Sequence, residues 1–373
     1  MKALLKAAGL LAPAWVTAAL LWCAPGNDTV QAAAPGPVLP DLMDRDTIKA
    51  IDNGLNYLIK TQRANGGWLN SGGYGFYPSV MTSLAGLSLM AGGSTPESGP
   101  YSRQVARAMN FMLKNVAEAS NDGLIATDVE SQSMYGHGFS MLFLAQCYGV
   151  ETSPEYEERL RKVLEKAVQV TAKAQSDLGK QNNHAGGWTY TPGGGDEGSV
   201  TVTQLQALRA CRNIGIYVPQ TTIDRAVAYL KHCQMPNGGI CYAANSRGDS
   251  RPAISAAAIA CFYAAGKYDT ARGAAGAEGE MVEKLVKYVK GTCQPGGGGD
   301  GHSFYTQFYM AQAMYQRGGN DWREYYPRLK QWLLSTQSPD GSWNGDGVGT
   351  TYGTALACIM LQLPYGYLPI YEK

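Results

Sequence analysis

A seven-residue turn recurs along this chain and constrains its fold more than any other feature. Gln62-Arg63-Ala64-Asn65-Gly66-Gly67-Trp68 returns as Gln337-Ser338-Pro339-Asp340-Gly341-Ser342-Trp343 and, one residue longer, as Gln181-Asn182-Asn183-His184-Ala185-Gly186-Gly187-Trp188. Weaker copies begin at Gln234 and Gln294, and a worn one surrounds Asn121-Asp122-Gly123. Self-similarity of this kind marks a chain built from stacked supersecondary units, none of which buries its apolar faces alone.

Each copy follows an amphipathic pattern. Ile48, Ile51, Leu55, Leu58 and Gln62 return every three or four residues to one helical face. Each copy then precedes a second helix rich in small and apolar residues, such as 253–265, which has almost no polar face and is expected to be buried on nearly all sides. Asn-Gly and Asp-Gly accept the positive φ that stops a helix, and the glutamine amide can satisfy carbonyls left open at its end. The tryptophans offer large apolar area to cover a neighbouring unit. The pattern predicts an all-α chain of about six helical hairpins, outer helices around inner ones. Such a stack is open or closed, and six hairpins with short inner helices suit a closed double ring whose inner-helix ends and loops line a central concavity.

The rest of the chain adds limits. Residues 1–32 read as a signal peptide: Lys2 and Lys6 supply charge, residues 4–22 are mostly apolar, and Val30-Gln31-Ala32 offers a cleavage site. Export to the periplasm or beyond is expected, with retention of the leader as an anchor as the alternative. The bulky Trp22 before Cys23 argues against a lipoprotein. A Pro/Ala linker is expected over 33–45, the repeats over 46–363 and a tail over 364–373. No later segment is apolar for the roughly 20 residues of a membrane span. With 45% apolar residues, 16% charged residues and a net charge of +1, the chain can fill a core but has no basic run to neutralise a phosphate backbone, which excludes nucleic acid as a partner. Cys147, Cys211, Cys261 and Cys358 fall near one place in successive second helices and suit packing. Cys233 and Cys293 end first helices, and an oxidising compartment permits them, or Cys241, to pair.

The Q-x-x-[DN]-G-x-W turn resembles the repeat of squalene and oxidosqualene cyclases and of protein prenyltransferase β-subunits. The resemblance spans about residues 46–363 and implies an α/α toroid whose cavity holds a small apolar ligand, isoprenoid or lipid. It does not carry the chemistry with it, because one fold hosts cyclases, metal-dependent transferases and binding domains. The cyclases' Asp-x-Asp-Asp acid is absent: the matching helix start is Gly198-Ser199-Val200-Thr201-Val202-Thr203-Gln204, with Asp196 and Glu197 upstream. The transferases hold zinc on an Asp-x-Cys pair and a His from the next repeat. Asp300-Gly301-His302 occupies the corresponding place and makes Asp300 and His302 the candidate catalytic or zinc-ligating pair, although the next repeat, Gly349-Thr350-Thr351-Tyr352-Gly353-Thr354, has no histidine.

His137, flanked by Gly136 and Gly138, is a candidate ligand contact or accessory metal ligand, as is His184. Tyr74, Phe76, Tyr77, Tyr135, Trp188, Tyr190, Phe304, Tyr305 and Tyr352 follow the turns and form a candidate aromatic wall, of which Tyr135, Trp188, Tyr305 and Tyr352 are the main expectations. Two other classes stay open. Helical rings also host polysaccharide hydrolases, for which Asp128, Glu130, Asp196, Glu197, Asp300 and Asp346 are candidate carboxylates, and lyases, for which Arg247 and Arg251 beside Asp249 could meet a uronate. The third class is a non-catalytic scaffold for peptide, lipid or sugar. The Gly-Cys-Gly-Glu-Gln motif of thioester-bearing toroids is absent, as is a P-loop.

Overall fold

A computed structural model describes residues 39–150, 153–176, 186–193, 195–265, 276–297 and 301–371, all within one unit, Leu39–Lys373. The leader, Gln181, His184 and Asp300 lie outside the described residues. The chain alternates outer and inner helices. The outer set is α1 (Arg45–Thr61), α3 (Ser102–Phe111, continuing as the π-helical Met112–Ala117), α5 (Pro154–Ala174), α7 (Gln220–Cys233), α9 (Gly276–Thr292) and α11 (Gly319–Thr336). The inner set is α2 (Pro78–Ala91), α4 (Ser133–Cys147), α6 (Gly198–Asn213), α8 (Pro252–Ala264), α10 (Ser303–Arg317) and α12 (Thr350–Gln362). Each inner helix packs on the next, and α12 packs on α2. The fold is therefore an all-α, closed α/α toroid. No helix of the described residues is long and apolar enough to cross a membrane.

The division into rings follows from side-chain periodicity. In α1 the buried residues Thr47, Ala50, Ile51, Gly54, Leu55 and Leu58 form one stripe, while every residue of α2 is buried. Inner helices must approach closely, and small residues allow it. A Cβ on Gly86 would meet the Phe143 ring at 2.4 Å, and one on Gly138 would meet the Thr203 methyl at 2.7 Å.

The recurring turn is a joint between neighbouring hairpins. Its glutamine Nε2 donates to a carbonyl within the turn and to one on the next outer helix: Gln62 to Gly66 (2.9 Å) and Gln104 (3.0 Å), Gln234 to Gly238 (3.0 Å) and Met281 (3.1 Å). In the third hairpin this role belongs to Gln175, which donates to Gly186 (2.8 Å) and Thr222 (2.9 Å). The spacing that selected Gln181 was therefore misread, because the stretch after Gln175 is an insertion between the glutamine and its glycine. Each indole N–H bonds within its own hairpin, Trp68 Nε1 donating to Leu58 O and Trp343 Nε1 to Leu333 O, both at 2.8 Å, while the Trp343 ring packs on the neighbouring hairpin, where a Cβ on Gly54 of α1 would lie 2.8 Å from it.

The last joint closes the ring. Gln337 Nε2 donates to Gly341 O (3.0 Å) and to Ala50 O of α1 (2.9 Å). Lys330 of α11 meets Asp44, the N-cap of α1, at 2.7 Å and, by hydrogen bond, holds that carboxyl down to about 2. Gly72 N donates to Val348 O at 2.9 Å across the same seam. Beyond α12, Pro369–Tyr371 inserts Ile370 and Tyr371 into the interior, where they are buried and where the segment touches both α6 and α10. Those two helices also meet each other directly, through Gln206 Nε2 donating to Gln312 Oε1 at 2.7 Å and Thr203 Oγ1 near Tyr309 Oη at 3.4 Å. Helices two places apart in a ring touch only across its axis, so these pairs and Tyr371 close one end of the central space.

Candidate functional site

The other end holds a cavity of about 470 Å³, bounded by residues from the first two turns of the inner helices and the loops that enter them. Its volume lies within the range of small-molecule sites, about 300–1,000 Å³. The lining is layered. Tyr135, Tyr305 and Tyr352 are each the third residue of their helices, α4, α10 and α12. One turn further in, on the same faces, stand Phe139, Phe308 and Leu356. At about 1.5 Å of rise per residue the second layer lies roughly 4.5–6 Å below the first. Val80, Met81 and Ile254 complete the apolar wall, and Tyr77, Tyr190, Tyr242, Arg251, His302 and Asp346 stand about the mouth.

Around the mouth the phenols form a connected set. Tyr135 and Ser199 share a hydrogen bond, as do Tyr190 and Tyr242. Burial raises the Tyr135 phenol well above its ordinary value, and the nearby Glu197 carboxylate adds to the shift. Burial does the same at Tyr305 and Tyr352. These groups stay protonated; Tyr305 Oη donates to Ser199 O at 3.4 Å and Tyr135 is held by Ser199 and Glu197, while the Tyr352 phenol can donate to a ligand. Arg251 lies over the Tyr242 ring, 5.7 Å from its centroid, an arrangement that orients the guanidinium while leaving its edge for hydrogen bonds.

The carboxylates near the cavity are committed to helix ends. Glu197 caps its own helix α6, accepting from Val200 N (2.6 Å) and Ser199 N (3.0 Å), and also from the Ser199 hydroxyl. Glu130 caps α2 from the neighbouring loop, accepting from Ser79 N at 2.7 Å. Asp346, at φ +50°, accepts from Phe304 N and Tyr305 N, both at 2.9 Å, and so caps α10. Burial raises both glutamates, opposed at each by hydrogen bonds from the helix start. A carboxylate that satisfies open N–H groups beside a helix dipole is held for structure. Asp196 accepts from Ala244 N at 3.0 Å, and Asp128 and Asp249 are exposed.

The residues singled out from sequence separate accordingly. Tyr135, Tyr305, Tyr352 and His302 line the cavity. His137 does not. Its ring is fully buried between α4 and α5, Nδ1 accepting from Ile125 N (2.9 Å) and Nε2 within 3.0 Å of Thr171 Oγ1. Burial lowers its pKa to about 4, so the ring is neutral. The physical reason is angular: Tyr135 and Phe139 share the cavity face, and a residue two positions from Tyr135 points about 200° away. Gly136 and Gly138 serve helix packing, a Cβ on Gly136 meeting Ser79 Oγ at 2.4 Å. Trp188 is likewise away from the cavity, its indole donating to Thr171 O at 2.7 Å. Phe304 turns outward onto Trp332, ring centroids 5.1 Å apart. Tyr74 lines the mouth and is 57% exposed, whereas Phe76, 61% exposed, stands in solvent.

No three His, Cys, Asp or Glu side chains converge among the described residues. Asp300, the expected companion of His302, lies outside the described residues, and no step below runs through a metal. Tyr242, Phe139 and Phe308 are aromatic lining residues that the sequence reading missed, and Arg251, expected there as a contact for a uronate, lines the mouth. Tyr242 follows the weak copy at Gln234, where Ile240 replaces the tryptophan, so the spacing that marks its counterparts is harder to see.

No protein-family model matches the chain, and no curated protein matches it in sequence. Solved structures do. The chain is similar to the GH76A α-1,6-mannanase from Salegentibacter sp. HEL1_6, with TM-score 0.60 and 12% identity over 86% of this chain and 99% of that one. It is also similar to the type II terpene cyclase MstE from Scytonema, with TM-score 0.56 and 15% identity over 87% of this chain and 99% of that one. A GH76 α-mannanase from Bacteroides thetaiotaomicron matches with TM-score 0.55 and 10% identity over 87% and 96% of the two chains. At such identities the likeness is one of fold, and it extends over the whole toroid.

Proposed function

We propose that the ring binds an amphiphile with an extended apolar part, of isoprenoid or lipid class, in its central cavity. The apolar part lies against Phe139, Phe308 and Leu356, and the polar end meets the phenols and Arg251 at the mouth. The observation that carries this reading is the layering of the cavity: donors stand at the level of the third helical residue, and only hydrocarbon faces the space one turn below. Burying apolar ligand surface there contributes about 25 cal/mol per Å². A sugar chain placed at that depth would leave hydroxyls without partners, each costing about 1–3 kcal/mol.

A glycosidase needs two carboxylates free to act on one bond. Glu130, Glu197 and Asp346 instead spend their oxygens on backbone N–H groups of α2, α6 and α10. This favours the amphiphile over a polysaccharide and describes a binding role. The test is calorimetric titration of the purified protein with an isoprenoid alcohol, a fatty acid and an α-1,6-linked mannooligosaccharide. The reading expects saturable binding of a long-chain compound at one per chain, with a negative heat-capacity change from apolar burial. Binding of the oligosaccharide alone would overturn it.

A further inference from the structure

The fourth hairpin departs from its siblings at one pair of positions. α7 ends on Cys233, the chain turns through Met235 and Gly238, and Gln234 pairs back antiparallel with Ile240. Cys241 therefore stands directly opposite Cys233, and its N–H donates to Cys233 O at 3.0 Å. Hydrogen-bonded antiparallel partners have Cα atoms about 5.5 Å apart, within the roughly 4.4–6.8 Å that a disulfide spans. The two thiols are near enough to influence each other's ionisation, and Cys241 Sγ also donates to Ala243 O at 3.5 Å. Both are thiols here and both are buried. The same positions in other copies of the turn hold Thr61 with Leu69 and Thr336 with Asn344. The remaining cysteines face other groups, such as Cys261 toward Val202 O and Cys293 toward Pro252 O.

We propose that Cys233 and Cys241 form an intrachain disulfide that staples the end of α7 to the strand entering α8, when the chain folds in contact with a disulfide oxidant. Chemically the step is thiol–disulfide exchange with a small-molecule or protein disulfide. The Cys241 thiolate attacks one sulfur of the oxidant and releases one thiolate. The Cys233 thiolate then attacks the Cys241 sulfur and releases the second. Two electrons pass from the cysteine pair to the oxidant, which leaves as two thiols carrying the two protons. Either cysteine can attack first, since the exchange is symmetric in the two thiols. Because both sulfurs are shielded in the folded ring, exchange takes place before the hairpin packs, and the finished bond is sheltered from reductants. Alkyl contacts around the pair change little, so the ring and its cavity keep their shape with or without the bond.

The test uses the full chain produced by export into an oxidising periplasm, denatured in N-ethylmaleimide without reductant. Cyanogen bromide cuts after Met235, between the two cysteines. The bond predicts two fewer alkylated thiols than a reduced control and fragments, ending at Met235 and beginning at Pro236, that separate only on reduction. It also predicts that Cys241→Ser frees Cys233 to alkylation and lowers Tm by about 4 °C, the effect of opening a loop of about nine residues in a chain of this size. Full alkylation of the exported protein, or linkage of Cys233 to Cys293, would overturn the assignment.

Discussion

Closing the ring sets a demand that glycine substitutions can measure. Gly341 sits at φ +90°, and a Cβ there would lie 2.5 Å from Asn53 O on α1, across the seam between the last hairpin and the first. Gly66 stands in the same relation to Arg107 O at 2.3 Å, inside the ring. Gly215 has a similar φ of +85° but meets nothing within 4 Å. Alanine at any of the three bears the left-handed backbone cost, about 1–2 kcal/mol. At Gly341 and Gly66 the neighbouring helix must also withdraw, at about 1–3 kcal/mol for overpacking. For Gly341 that withdrawal stretches the Gln337 bond to Ala50 O, worth about 1 kcal/mol. With an unfolding entropy near 0.7 kcal/mol/K for the roughly 330 residues of Leu39–Lys373, Gly215→Ala should lower Tm by about 2 °C and Gly341→Ala by about 4–9 °C. Thermal unfolding followed by far-ultraviolet circular dichroism reads both. The reasoning fails if Gly341→Ala costs no more than Gly215→Ala while Gly66→Ala costs the larger amount, since the joint at the seam would then be loose.

Two further outcomes follow from buried groups. His137 is neutral when folded, its pKa lowered from 6.5 to about 4, so the unfolded chain binds its proton first and stability falls as pH drops below about 6.5. The loss attributable to this ring is about 2 kcal/mol between pH 7 and pH 5, seen as a steeper decline in urea midpoint for the wild type than for His137→Gln; parallel declines would show that the ring does not titrate this way. Tyr371 is buried against Phe308, with ring centroids 6.2 Å apart, and Tyr371→Ala should cost about 3–4 kcal/mol in denaturant unfolding, whereas an unchanged midpoint would show that the tail does not close the ring.

The ring was legible in the sequence because its joints repeat: a glutamine, a glycine needing positive φ and an indole answer the same geometric demand each time. Legibility failed where an insertion separated the parts, as with Gln175 and Gly186, whose partnership appears only in three dimensions. The cavity was half legible. Tyr135, Tyr305 and Tyr352 follow the turns at one helical level, but Phe139, Phe308 and Leu356 below them look like ordinary core. His137 was misplaced because its flanking glycines suggested open space, when they let α4 approach α2 and α6. The capping of α10 by Asp346, from the following turn, had no local signal at all, since it joins residues 41 and 42 positions apart.

The claim of an apolar ligand site is tested most directly by native mass spectrometry of the purified protein after exposure to a long-chain isoprenoid alcohol. The wild type is compared with Leu356→Glu, which places a charge in the hydrocarbon layer, and with Tyr352→Phe at the mouth. Circular dichroism checks that each is folded. The account predicts a one-to-one adduct on the wild type, a weakened one on Tyr352→Phe and none on Leu356→Glu. An adduct of equal strength on all three would contradict it, because the ligand would then lie outside the cavity.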